Sequence, residues 1–292
     1  MNNSRRNFIK QTGLAAASIT LLPYLGCAET AKIKKFGIQL YSLRNEITSG
    51  IEKVIGEVAK AGYNYVEGYG YSEKTGFFGL KPQAYKDLLD KNNLTTPSAH
   101  YDFGDWEKSQ DDSILKSYID AAKILDQKYI VVPYTNPDIF KDETACRAYI
   151  AKLNRASKIV KDAGLKLAYH NHDLEFFDLK GKTGFSILLE ESDPELLDLE
   201  LDLYWVMRAK QDPIQLFKDH PGRFTMWHVK DMSKTNNLKN TEVGNGTIDF
   251  TTIFKNAKLS GLKYPFVEQE NFEIDPYQSI TKSASYLSKL IK

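Results

Sequence analysis

The sequence predicts an α/β protein, a single (β/α)8 barrel of the TIM type, and three observations carry that prediction. From Lys34 onward one unit recurs eight times: a short apolar run, a polar junction, an amphipathic helical pattern, then Gly or Asn before the next run. The apolar runs have the near-continuous hydrophobic composition of parallel strands buried on both faces. No linker rich in Pro, Gly or Ser divides the chain, whose 292 residues suit one large barrel.

The first run, Phe36-Gly37-Ile38-Gln39-Leu40-Tyr41, reads as a strand, and the helix expected over 51–61 is stopped by Gly62. A second strand over 63–67 leads into a Gly/Tyr-rich loop and a helix opening at Pro82, a residue suited to a first helical position. The third strand, 94–100, precedes a helix over 114–125. The fourth, Tyr129-Ile130-Val131-Val132, is closed by Pro133 and followed by a long helix over about 143–163 that ends at Gly164. The fifth lies in Leu165-Lys166-Leu167-Ala168-Tyr169-His170-Asn171-His172-Asp173, with a short helix near 186–191. Strand six is read over 196–203 with a helix near 214–218, and strand seven over 224–229 with a helix over 253–260 ended by Gly261. Pro265-Phe266-Val267 is the eighth strand, and 277–290 the last helix. An open doubly wound sheet predicts a Gly-rich phosphate loop after an early strand, but Gly68-Tyr69-Gly70-Tyr71 lacks the third glycine and the helix start. A triad hydrolase is disfavoured by the lack of any Gly-x-Ser-x-Gly.

Composition narrows the function. Lys and Arg number 39 against 38 Asp and Glu, so no basic excess points to nucleic acid. With 42% hydrophobic and 26% charged residues the chain reads as an ordinary folded protein. Two cysteines, Cys27 and Cys146, make neither a disulfide framework nor a thiolate metal site. Residues 1–27 are set apart from the barrel, which is assigned to 28–292. Ser4-Arg5-Arg6-Asn7-Phe8-Ile9-Lys10 precedes an apolar run too short and too rich in small residues to span a membrane. It resembles a twin-arginine export signal, which predicts a periplasmic protein. Tyr24-Leu25-Gly26-Cys27 resembles a lipoprotein processing box with an atypical first residue, predicting a lipid anchor at Cys27; plain cleavage after Ala28 or Ala31 is the alternative.

Barrel enzymes work at the carboxyl ends of their strands. Read there, the chain offers Glu67, His100, His170 with His172, Asp202, His228 and Glu268, all metal ligands or proton carriers by type. His170 and His172 leave one face of a buried strand, a poor way to fill a core. Asp202 sits in an apolar strand, where an acid is costly unless paired or metal-bound, and Glu200 shares its face by spacing, so one of the two is expected deeper and salt-bridged. His220, beside Pro221, reads as a surface residue. Nitrogen and carboxylate donors suit Mn²⁺, Zn²⁺, Co²⁺ or Mg²⁺ without choosing among them. Tyr41, Phe103, Trp106, Trp205 and Trp227 lie near strand ends, where a core role competes with sugar stacking. Lys230 and Lys234 suit a phosphate or carboxylate, with a solvated lysine as the plainer reading. Gly244-Asn245-Gly246 reads as a tight loop before a helix capped by Asp249 or Thr247.

Gly62-Tyr63-Asn64-Tyr65-Val66-Glu67, Tyr169-His170-Asn171-His172-Asp173, Leu201-Asp202-Leu203-Tyr204-Trp205, His228-Val229-Lys230-Asp231, the stretch 243–250 and Val267-Glu268-Gln269-Glu270 together resemble the xylose-isomerase-like barrels, a group of sugar phosphate isomerases and epimerases. The resemblance runs from about Phe36 to the C-terminus. It implies one divalent metal ion held by residues on strands five to eight: Asp202, His228 and Glu268 fall on three usual positions, and His170 stands where a Glu is usual. It implies a metal-dependent isomerase or epimerase in which the metal chelates two adjacent sugar oxygens and stabilises an enediolate. Glu268, His172 and His170 are then the expected catalytic groups, and Glu67, His100, Trp205 and Lys230 the expected substrate contacts. A site with one Glu and one His fits elimination from a keto sugar, keto-glycoside or inosose equally well, so a dehydratase or lyase is the close alternative. An exported protein has little access to sugar phosphates, so a non-phosphorylated small carbohydrate is the expected partner. A DNA-repair endonuclease of the same barrel type needs a three-metal cluster and a basic groove; Trp205 stands where a further His is wanted. A barrel that only binds sugar is the non-enzymatic alternative.

Overall fold

The computed structural model describes residues 33–292, and the export-signal and lipid-anchor readings of residues 1–27 lie outside the described residues. Seven parallel strands come in order: β1 (Gly37–Gln39), β2 (Tyr65–Tyr69), β3 (Thr95–His100), β4 (Tyr129–Val132), β5 (Lys166–His170), β6 (Leu197–Asp202) and β7 (Phe224–Val229). A short antiparallel hairpin, β8 (Asp231–Met232) with β9 (Asn240–Thr241), precedes the eighth barrel strand, β10 (Tyr264–Val267). β10 pairs with β7 on one side and β1 on the other, which closes the barrel and leaves no open edge.

Alternation along each strand divides its residues between two layers. In β4, Tyr129 and Val131 turn inward to pack with Tyr65, Ala168, Met226 and Phe266, while Ile130 and Val132 join the larger layer between barrel and helices. The same rule lets β6 carry three acids: Leu197, Leu199 and Leu201 face the helices, and Asp198, Glu200 and Asp202 face the barrel axis. The helix Glu143–Asp162 shows how the outer layer is built. Asp142 caps it by accepting from Ala145 N (2.8 Å), and Cys146, Tyr149, Ile150, Leu153, Ala156 and Val160 line its buried stripe. Truncating the wholly buried Leu153 to Ala costs about 2–5 kcal/mol by the usual cavity rule.

Three differences from the expected elements have local causes. β1 is shorter than expected because Gln39 Oε1 accepts from Tyr41 N (3.0 Å) and winds Leu40–Leu43 into a 3-10 turn. The seventh crossover helix is split into Phe250–Lys255 and Ala257–Ser260 at Asn256. Of its two expected caps Asp249 serves, accepting from Thr252 N at 3.1 Å. The short helices Arg44–Ile47, Gly104–Ser109 and Leu203–Arg208 are additions. The last of them matters most, because the acid at its N-terminus belongs to the site.

Candidate active site

Asp202 ends β6 and starts the helix Leu203–Arg208. Its Oδ1 accepts from Tyr204 N (2.8 Å) and Trp205 N (3.1 Å), the bonds of an N-cap. That cap fixes the carboxyl group and leaves Oδ2 buried without a hydrogen-bond partner, 4.0 Å from His228 Nδ1 and 3.8 Å from Lys230 Nζ. Asn171, which points away from His170 as alternation demands, accepts from Asp202 N (3.0 Å) and ties the ends of β5 and β6 together. On the other side of β7, Glu268 Oε2 lies 3.0 Å from His228 Nδ1 and accepts from Lys230 Nζ at 3.1 Å. Lys230 also bonds Glu270 and lies over the Trp205 ring, 5.2 Å from its centroid.

A second tier lies one step deeper. β2 pairs with β3 so that Glu67 is opposite Ser98 and His100 is two residues nearer the mouth. Glu67 Oε1 accepts from Ser98 Oγ (2.5 Å), and Oε2 accepts from Gln39 Nε2 (2.8 Å) and faces His228 Nε2 (2.9 Å). Glu200 Oε2 lies 2.8 Å from His100 Nε2, 3.3 Å from His228 Nε2 and 3.4 Å from His170 Nδ1. Four strands thus converge on Glu200, and the expected pairing of one deep acid on β6 is met by this residue.

Charge follows from burial and neighbours. Burial disfavours a charge on His100, but Glu67 and Glu200 outweigh it and raise the pKa to about 9. The same contest holds His228 well above the ordinary imidazole value, with Glu200 and Glu268 as the opposing charges. Despite burial, His100 and His228 hold Glu67 well below the usual carboxylate range, and Lys230 and His228 do so for Glu268. Burial, joined by Glu67, raises Glu200 to about 7, and burial against the pull of Lys230 raises Asp202 to about 7. His170 is pushed well below its ordinary value by burial and by His228, and His172 to about 3 by burial and Lys230, so both stand neutral.

The residues read as strand-end ligands fall into two groups that share His228. Asp202, His228 and Glu268 each bring a ligand atom within 4.8 Å of the others, and His100, His170, Glu200 and His228 form the second such group. His170 therefore sits with the deeper histidines, its ring centroid 4.4 Å from that of His228. His172 lies just past the end of β5, its ring centroid 5.0 Å from that of His170 and 5.4 Å from that of Trp205. Of the expected substrate contacts, Trp205 is half-buried beside His172, and His100 is buried in the deeper tier. Glu67 is 0% exposed with both oxygens occupied. Lys230, 1% exposed, is a buried ammonium and no solvated lysine. Phe103, Trp106 and Trp227 are buried in the outer layer, Tyr41 is exposed, and His220 is half-buried away from the site. Gln39 and Ser98 went unread: neutral polar residues in an apolar strand carry no mark of chemistry, and their partner Glu67 lies 28 and 31 residues away.

A divalent cation fits these residues. Asp202 Oδ2, His170 Nδ1 and Glu200 Oε1 are buried polar atoms without partners, the state that an ion relieves. The donor set is imidazole and carboxylate, which suits first-row divalent metals and Mg²⁺. At the mouth, His172 Nδ1 and Trp205 Nε1 are likewise buried and unspent.

A closed parallel barrel with an imidazole–carboxylate centre at the carboxyl ends of its strands defines the class: a TIM-barrel protein of enzyme type. A family model described as xylose isomerase-like TIM barrel matches residues 55–290, and the chain belongs to that family. A crystal structure of a sugar phosphate isomerase/epimerase from Parabacteroides distasonis is similar to it, with 29% identity and a TM-score of 0.78 over 91% of this chain and 97% of that one. An inosose dehydratase of Geobacillus kaustophilus is 28% identical over 160 residues, 48% of this chain and 51% of that protein. An inosose dehydratase of Bacillus cereus is 24% identical over 274 residues, 82% of this chain and 89% of that protein. The chain thus spans about half the length of the Geobacillus relative and most of the Bacillus one.

Proposed function

We propose that the protein is a divalent-metal-dependent isomerase or epimerase of a small carbohydrate, with Asp202, His228 and Glu268 as the residues that hold the cation; His170, expected as a fourth ligand, lies in the deeper group beside Glu200. The observation that carries the reading is the buried Asp202 Oδ2, which has no hydrogen-bond partner and faces His228 Nδ1 at 4.0 Å, with Glu268 Oε2 3.0 Å from the same nitrogen. When bound, the ion supplies Lewis-acid polarisation of a sugar carbonyl and its neighbouring hydroxyl. Glu268, held ionised by Lys230 and His228, accepts the proton from the carbon beside that carbonyl and returns it to the former carbonyl carbon while the neighbouring hydroxyl hydrogen passes to the carbonyl oxygen, so the sugar leaves isomerised and Glu268 ionised. β5 and β10 stand three strands apart round the barrel, so His170 and His172 approach a bound sugar from a different side than Glu268. An imidazole with a pKa of about 3 is a poor base, so His172 serves through Nδ1 as an acceptor for a substrate hydroxyl, with Trp205 Nε1 as a donor beside it. With residues 1–27 taken as a twin-arginine signal, the proposal includes periplasmic location, lipidation at Cys27 and a non-phosphorylated substrate. Mass spectrometry of the mature N-terminus tests that part.

A dehydratase or lyase acting on keto sugars, keto-glycosides or inososes is the second reading. It is favoured by the names of the curated relatives. Metal-loaded protein incubated in D₂O with 3-keto-glucosides, inososes and simple ketoses separates the two. Solvent deuterium beside the carbonyl without loss of water or aglycone supports the first reading, and loss of either supports the second. Protein from metal-replete growth that carries no stoichiometric divalent metal sinks both and favours a sugar-binding barrel.

A further inference from the structure

Glu67 is a buried carboxylate that this proton-transfer scheme leaves unused. Ser98 Oγ and Gln39 Nε2 both donate to it, at 2.5 and 2.8 Å, so it is fixed as an acceptor. A ring nitrogen of His228, Nε2, faces the same carboxylate at 2.9 Å. A nitrogen facing a pure acceptor must carry the hydrogen. The other nitrogen, Nδ1, lies on the opposite edge of the ring, toward Glu268 (3.0 Å) and Asp202 (4.0 Å). One tautomer thus satisfies both edges when a cation is present, with the hydrogen on Nε2 and the Nδ1 lone pair free for the ion.

We infer that Glu67 is a positioning residue that fixes the Nε2–H tautomer and ring orientation of His228, with Gln39 and Ser98 holding its carboxyl group in place. The inference rests on the metal reading above. Metal-bound histidines commonly donate their second N–H to a carboxylate, and loss of that partner weakens metal binding about 10–100-fold. Glu67 therefore acts on the cation through the imidazole and has no free oxygen for substrate, which places it in a role different from the substrate contact expected at its strand end.

The test uses the full protein with Co²⁺ and Zn²⁺ as probes. By competition against a chromophoric chelator, Glu67→Gln is expected to bind about 10–100-fold more weakly at unchanged stoichiometry. Leu153→Ala opens a cavity in the outer layer on the helix Glu143–Asp162, so its thermal stability is expected to fall while its metal affinity stays within about threefold of wild type. Long-range ¹⁵N–¹H NMR of the Zn²⁺-loaded wild type is expected to show the hydrogen of His228 on Nε2, a readout that does not depend on any variant folding. Metal bound at Nε2, wild-type affinity in Glu67→Gln, or equal weakening in both variants at equal loss of stability overturns the inference. A wild type that binds neither ion removes the metal reading itself, whereas a wild type that binds with Glu67→Gln unaffected removes only the role of Glu67.

Discussion

Replacing Asp231 by Asn tests how the loop beyond β7 is held. The Asp231 carboxylate is wholly buried and accepts four backbone N–H groups: Oδ1 from Met232 (2.8 Å) and Ile248 (3.1 Å), Oδ2 from Gly244 and Gly246 (both 2.9 Å). An Asn keeps the shape, but its amide nitrogen turns hydrogens toward two of the four donors, whichever way it is flipped. Hydrogen bonds to a charged group contribute about 1.5–3 kcal/mol each, so two lost bonds give about 3–6 kcal/mol. The variant also escapes the cost of a buried charge, a cost visible in the rise of the Asp231 pKa with burial, so the lower end applies. The expected loss is about 3 kcal/mol, or roughly 6–10 °C in Tm for a domain of this size. Urea unfolding at pH 7 measures it as a lower midpoint at unchanged m-value. A loss under about 0.5 kcal/mol would refute the claim that this carboxylate clamps the loop.

Gly246→Ala attacks the same clamp from the other side: an added Cβ would lie 2.2 Å from Asp231 Oδ1 and from the Met232 carbonyl oxygen, so thermal unfolding should show a Tm drop of several degrees. Asp202→Asn can keep the cap through Oδ1 while losing the charged Oδ2; calorimetric titration with Mn²⁺ should show at least about 100-fold weaker binding, and chemical denaturation a stability change near 1 kcal/mol. Removing divalent metal with a chelator should lower Tm, and restoring it to about 100 times its Kd should return about 2.7 kcal/mol; an unmoved melting curve would contradict a site in the folded state. Burial raises Glu175 to about 7, so the folded protein holds a proton that the unfolded chain releases nearer 4.5. That contribution is complete below the unfolded value and is lost as pH rises through about 7, at about 1.4 kcal/mol per unit. Wild type should therefore lose ground to Glu175→Gln between pH 5 and 7.5 in metal-free denaturation curves, and parallel curves would refute the shift.

The sequence was most legible where two signals coincide. β7 runs from Phe224 to Val229 as expected, because Gly222 precedes it and the alternation of Met226 and His228 against Trp227 and Val229 is unbroken. β1 was overextended because Leu40 and Tyr41 suit a strand and a 3-10 turn alike, and a side-chain cap by Gln39 decided between them. In the site, alternation separated His170 from Asn171 and put Glu200 beneath Asp202. It could not separate the upper group of ligands from the lower, because that division depends on how β6 registers against its neighbours, with Glu200 opposite His170 and Asp202 opposite His228. Asp231 was quoted within its motif, but its partners lie 13 to 17 residues further on, and a loop folded back onto its own strand has no periodicity to read.

The inward residues Tyr65, Tyr129, Val131, Ala168, Met226 and Phe266 form a dry floor under Glu67 and Glu200, while Asp198 and Thr225 bond each other near the start of β6 and β7 below it. A floor of that kind shuts the charged cluster off from the amino ends of the strands. Groups that reach Glu67 and Glu200 must therefore come from the carboxyl-end side of the barrel, where Asp202, His172 and Trp205 lie.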